Sequence, residues 1–222
     1  MNRWILLAAA LACLPATVDA GAISRDWKTP DDGLLTYDDV NQREWLDLTE
    51  SRLSMFPGST LRQRYQNALL ELAPGGMFEG FIAAKRPDLT ALAQSSGIDV
   101  STYDFSLNAG PTMLLINLVG VSPGSATSTD RRSFGLLDEV GTLGPSSTLL
   151  YQYNGYLRVA PDSGANRPAG LIIYPGSFDG VARADNTGAW LYRPVPEPSG
   201  FMLIAFCVWP VVMMKHAPCV TA

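Results

Sequence analysis

The sequence predicts an α+β domain built on one antiparallel sheet, and three observations carry that prediction. Short β-rich segments open the body at residues 34–37 and 44–48. Two capped helical segments follow between residues 60 and 96. Strand-length segments bounded by Gly and Pro then recur to residue 193. The composition agrees, because 20 Gly and 16 Pro with only 17% charged residues favour strands and loops over long helices.

Taken in order, residues 24–33 are polar and rich in turn formers. Residues 34–37 read as a strand, Asp38-Asp39-Val40-Asn41 as a turn cluster, and residues 44–48 as a second, alternating strand. Together they predict an early hairpin. Ser59 or Thr60 caps a helix over residues 60–73, with Leu61, Tyr65, Leu69 and Leu72 on one face. Thr60 and Gln63 have capping-box spacing, and Pro74-Gly75-Gly76 ends the helix. Pro87 opens a second helix over residues 88–96, which stops at Gly97. Residues 113–121 form a continuous apolar run between Pro111 and Pro123, the pattern of a strand buried on both faces. Further strands are predicted at 133–137, 148–153, 156–159, 170–174 and 189–193. Asn154-Gly155 between two of them predicts a type I′ hairpin turn. The segment has no internal repeat, and residues 23–194 make one domain.

The two ends have a different character. Arg3 is followed by the apolar run Ile5 to Leu14, broken by Pro15. Val18-Asp19-Ala20 and Ala20-Gly21-Ala22 both satisfy a small-x-small cleavage rule, so residues 1–22 read as a secretory signal peptide. That run is ten residues long, half of the roughly 20 needed to span a bilayer. At the other end, Val195-Pro196-Glu197-Pro198-Ser199 precedes an uncharged apolar run of 14 residues, Phe201 to Met214, and then Lys215-His216. Lengthened by Ser199 and Gly200, and with Lys215 snorkelling, that run approaches the thickness of a thin bilayer. Lys215 has the place of a stop-transfer charge.

The Pro196-Glu197-Pro198 motif, the apolar span and the terminal basic residue resemble the PEP-CTERM sorting tail of Gram-negative bacteria. The family ends in an arginine cluster where this chain has Lys215 and His216. The resemblance implies export, transient retention in the inner membrane, and processing near the motif by an exosortase-type membrane protease. The mature protein then joins the cell surface, the extracellular polymer or a biofilm matrix. The body is similar to uncharacterised PEP-CTERM proteins as well. Residues 41–49 resemble their T-G-L-E-W-L-D-L-T segment, and residues 75–84 their G-G-x-F-x-G-W-R-x-A-T segment. Those proteins are distantly similar to C-type-lectin-like domains, with Phe81 to Lys85 here in place of a W-R-L-P-T loop.

Composition bounds the chemistry. The net charge is −5 and no basic patch occurs, which argues against nucleic acid as a partner. The three cysteines (Cys13, Cys207, Cys219) and the one histidine (His216) all lie in the two ends. The body therefore has no disulfide framework, thiol nucleophile or Ser-His-Asp triad, and no zinc ligand set of the usual kind. Only carboxylates, hydroxyls, Lys, Arg and Tyr remain. The sequence assigns no catalytic residue, cofactor or metal. Trp45 between Glu44 and Asp47 is the arrangement a sugar-binding site shows, although on a strand Glu44 and Asp47 fall on opposite faces. Asp31-Asp32 and Asp38-Asp39 offer oxygen ligands for Ca²⁺ but lack the spaced Asp-x-Asp-x-Asp pattern, and Asp is also an ordinary turn former. Asp130-Arg131-Arg132 reads as a solvated loop. The expectation is a non-enzymatic exported surface or matrix protein. Its alternatives are a lectin-like carbohydrate-binding module held in exopolysaccharide and a secreted hydrolase that uses carboxylates alone.

Overall fold

The early hairpin forms as the alternation dictates. In the computed structural model, which describes residues 21–122, 131–142, 150–160, 169–176 and 186–196, β2 (Leu35–Asp38) and β3 (Arg43–Leu46) pair antiparallel with Thr36 opposite Trp45. β1 (Ala22–Arg25) joins the outer side of β2. A 3₁₀ turn at Leu53–Met55 leads to helix α1 (Leu61–Leu70). The Thr60 hydroxyl accepts the Gln63 N–H at 3.1 Å, while Gln63 Oε1 reaches back to Ser59 rather than to Thr60. The helix buries Leu61, Tyr65 and Ala68, and it ends three residues before the predicted Ala73.

After β4 (Ile82–Ala83) comes helix α2 (Arg86–Ser95), with Pro87 in its first turn. The Asp88 carboxylate accepts the Lys85 N–H at 2.9 Å and so satisfies a donor that the helix leaves unpaired. Gly97 takes φ +81°, and the Gly97 and Ile98 N–H groups return to Gln94 and Ala93, which closes the helix.

The run at 113–121 is not a strand. It is the C-terminal half of helix α3 (Phe105–Val119), capped by Asp104. Asn108, Thr112, Leu115, Ile116 and Val119 are buried, whereas Leu114 is 67% exposed. That spacing is helical. Pro111 sits inside the helix after Gly110, a residue whose lack of a side chain relieves the clash that proline imposes on its predecessor.

Strands β5 (Arg131–Thr142), β6 (Leu150–Val159), β7 (Ala169–Gly176) and β8 (Gly188–Ala189) come next, then β9 (Leu191–Pro194). Among the described residues there are two sheets where one was expected. Their strand orders are β1-β2-β3-β9-β4 and β7-β6-β5-β8. Most pairs are antiparallel, but β5 and β8 run parallel. The predicted turn at Asn154-Gly155 is instead the middle of β6, because Gly155 is paired with Gly135 on one side and with Ile173 on the other. Arg131 and Arg132 belong to β5 and not to a loop, with Asp130 outside the described residues. The predicted strand at 189–193 is divided at Trp190 between the two sheets.

Two cores result. One gathers Trp45, Leu89, Leu92, Leu115, Ile116, Leu157 and Trp190. The other gathers Leu35, Leu46, Leu53, Leu61, Tyr65, Phe78 and Leu191. The first sheet feeds both, since successive side chains on a strand point to opposite faces.

Gly120 closes the C-terminal end of α3 at φ +89°, and a Cβ there would collide with the Asp47 carboxylate. Gly120→Ala is expected to cost about 3 kcal/mol, from the left-handed backbone together with the overpacking. Urea unfolding of the two chains measures it.

Candidate functional site

The turn between β2 and β3 meets both ends of the body. Asp38 lies at its start, and its carboxylate accepts the Asn41 N–H at 3.1 Å and the Asn41 side-chain amide at 2.7 Å. The Tyr37 hydroxyl donates to Gln42 Oε1 at 2.8 Å, and the Gln42 amide donates to the Asp39 carbonyl. Gln42 itself takes φ +52°. A turn so bonded is fixed, and it has two groups directed outward. The Gly21 N–H donates to Asp39 Oδ1 at 3.0 Å. The Val195 N–H donates to the Gln42 carbonyl at 2.9 Å.

Strand register produces this arrangement. Ala22 pairs with Asp38, Asp38 with Arg43, and Arg43 with Pro194. The first residue of β1 and the last of β9 thus lie in one row across the sheet, three strand spacings or roughly 15 Å apart. Of the expected sorting motif, Val195 is half-buried and Pro196 exposed; Glu197, Pro198, Ser199 and the expected stop-transfer Lys215 lie outside the described residues, as do residues 1–20 of the expected leader. Among the described residues no helix is long and apolar enough to cross a membrane.

Glu44, Trp45 and Asp47 are separated by the sheet. Trp45 has no exposed surface, packs edge-on against Trp190 at 6.2 Å, and lies 5.2 Å from Tyr192. Its indole N–H has no partner. A ring stacked on sugar must face solvent, and this one faces the core. Glu44, on the opposite face, is gripped by Arg25 at 2.9 Å and by Arg193 at 2.8 Å. Burial pushes the Glu44 carboxyl up, but the Arg193 and Arg25 guanidinium groups outweigh it and hold it below the ordinary carboxylate range. Asp47 accepts the Thr49 N–H and hydroxyl, each at 2.7 Å. Glu44 and Asp47 therefore serve different elements and do not share a substrate-sized space.

The acidic pairs are also committed elsewhere. The Asp32 carboxylate accepts the peptide N–H groups of Trp27, Lys28, Thr29 and Leu34. Among the described residues no group of three acidic or metal-ligating side chains is assembled. A crevice beside Leu48, Thr49, Arg52 and Ser122 is too tight to admit a water molecule, and so it is no small-molecule site. Sequence reasoning did not single out Arg25, Arg193 or Gln42, and it read Asp39 as a turn residue and a possible calcium ligand. Their roles come from register between segments 18 to 153 residues apart, since Gly21 meets Asp39 and Gln42 meets Val195. Local pattern holds no signal for that.

Compared with known proteins, the chain matches no family model, no curated protein and no solved structure.

Two substitutions test the structural roles of these residues. Trp45→Ala is expected to cost about 3–5 kcal/mol through the cavity it leaves. Trp45→Phe should cost less than about 1.5 kcal/mol, because it also removes an unpaired buried N–H. Urea denaturation separates the two. Glu44 has a folded-state pKa below its unfolded value of about 4.3. Its contribution is therefore complete above that pH and declines as pH falls through the folded value. Glu44→Gln should lose about 2 kcal/mol at pH 7 and flatten the acid limb of the stability curve, read from melts between pH 7 and pH 3.

Proposed function

We propose that this chain is an exported, non-enzymatic surface or matrix protein, carried by an N-terminal leader and a C-terminal sorting tail. On this reading the leader takes the body across the inner membrane and is removed by signal peptidase. The apolar span at 201–214 then holds the protein in the membrane, with Lys215 as the charge that stops transfer. An exosortase-type protease cuts near Pro196-Glu197-Pro198 and passes the body to the cell surface or to exopolysaccharide.

The observation that carries this reading is the placement of the two ends. β1 begins and β9 finishes in one row of the first sheet, beside one turn. A domain with both ends at one pole can be tethered by either end without being turned over. Val195, the first residue of the motif, makes a backbone bond to the body, and Pro196 follows it directly. Pro196 and Pro198 lack N–H donors and fix φ, so they suit neither a central strand nor a helix interior. A segment of that kind is available as an extended protease substrate. The tie at Val195 holds the start of that segment beside the β2–β3 turn, so a processing enzyme would work close to that turn.

Mass spectrometry of the surface fraction tests the reading, in hosts with and without an exosortase. The expected product lacks residues 205–222 in the first host, while the second retains the uncut chain in its membrane fraction. Surface protein that still carries residues 205–222 counts against processing.

A further inference from the structure

We propose that the export peptidase cuts the Ala20–Gly21 bond and that the α-ammonium so created pairs with the Asp39 carboxylate. The inference rests on the export reading and names the bond which that reading leaves open. Two bonds satisfy the small-x-small rule, one after Ala20 and one after Ala22. They leave different chains behind. Ala22 is the first residue of β1, pairs with Asp38, and packs against the core that holds Trp45 and Trp190. A cut after Ala22 would strip that residue from the strand and take the Gly21 N–H away from Asp39. A cut after Ala20 keeps all four residues of β1 and leaves the new terminus 3.0 Å from Asp39 Oδ1.

The chemistry turns a peptide donor into a charged one. Water adds across the Ala20–Gly21 amide and the C–N bond breaks. The water oxygen goes to the Ala20 acyl carbon as a carboxyl group, which ionises. The Gly21 nitrogen keeps its own proton, gains one from that water, and takes a third from solvent. A neutral N–H···O⁻ contact thereby becomes N⁺–H···O⁻, and charge-assisted bonds of that type are the stronger ones. Asp39 is already positioned for this, because its carbonyl is held by the Gln42 side chain and the turn is fixed by Asp38 and Asn41. Processing thus completes the clasp on β1, a contact that the leader-bearing chain has only in weaker form.

The full chain, expressed with its leader in a Gram-negative host, is recovered from the exported fraction. Intact mass and terminal sequencing then read its first residue. A start at Gly21 is expected. A start at Ile23 or at any other internal residue overturns the proposal while leaving export intact. A chain that keeps Met1 and stays in the cytoplasm sinks the export reading, and this inference with it. The pairing has its own readout in Asp39→Asn, which keeps an acceptor oxygen and the turn. At low salt this variant of the exported chain should melt about 2–4 °C lower. At 1 M salt, where the screening length falls to about 3 Å, the difference should shrink by roughly half or more. An equal loss at both salt concentrations, or none at either, marks an uncharged contact and overturns the ammonium pairing.

Discussion

The fold turns on the chain's passage through Trp190. Its N–H donates to the Leu136 carbonyl of β5 at 3.0 Å, and its carbonyl accepts the Ala84 N–H at 2.8 Å. The residues before it form β8 in one sheet, and those after it form β9 in the other. The indole is buried edge-on against Trp45, so the crossing is fixed by a side chain as well as by backbone. Two glycines make room for it. A Cβ on Gly135 would lie 2.8 Å from the Trp190 ring, and one on Gly188 would lie 2.7 Å from the Leu48 carbonyl. Without this crossing β9 would not reach β3, and Val195 would not reach Gln42.

Charge keeps β9 in register once it arrives. Glu44 lies directly opposite Arg193 across the β3–β9 pair, and Arg25 closes on the same carboxylate from β1. Opposed charges on facing strands favour pairing, and one nearly buried carboxylate with two guanidinium partners is not left uncompensated. A slip of one residue would turn Glu44 toward the face that buries Trp45 and send Trp45 outward. On that face Arg43 covers the Tyr192 ring and bonds Asp88 at the start of α2, which ties the helix to the same row. In a chain with few charged residues, these are spent on joining elements.

What the sequence made legible was local. The Thr60 cap, Pro87 in the first turn of α2 and Gly97 at its end are all settled within a few residues, and α1 and α2 begin where those signals put them, although α1 stops at Leu70. The hairpin of β2 and β3 also comes from alternation alone. The run at 113–121 was opaque because an unbroken apolar stretch suits either a buried strand or a helix; only the exposure of Leu114 between buried Thr112 and Leu115 decides it. Asn154-Gly155 carries strong turn chemistry, but pairing along both sides of β6 overrides it. Around Trp45 the alternation was right and the burial was not readable. Which face is covered depends on α2, α3 and β9, all of them distant in sequence.

The strand order has a consequence for when the body can be completed. β9 is last in sequence but lies between β3 and β4, and β4 pairs with no other strand among the described residues. The first sheet therefore stays open until residues 191–194 arrive. A strand edge left open in this way is a liability for a chain in transit, since it offers unpaired backbone to other chains. On the export reading, a chain that crosses the membrane from its N-terminus delivers β9 only when the apolar span seven residues beyond Pro194 is entering the bilayer. Closure of the sheet and capture of the tail then coincide. On that reading the tail would hold the chain at the membrane for the interval in which β9 is inserted between β3 and β4, and the bond from Val195 to Gln42 would form at the boundary between the two events. On that reading retention and folding would form one step, because the residues that finish the sheet are the ones that lead directly into the proposed motif.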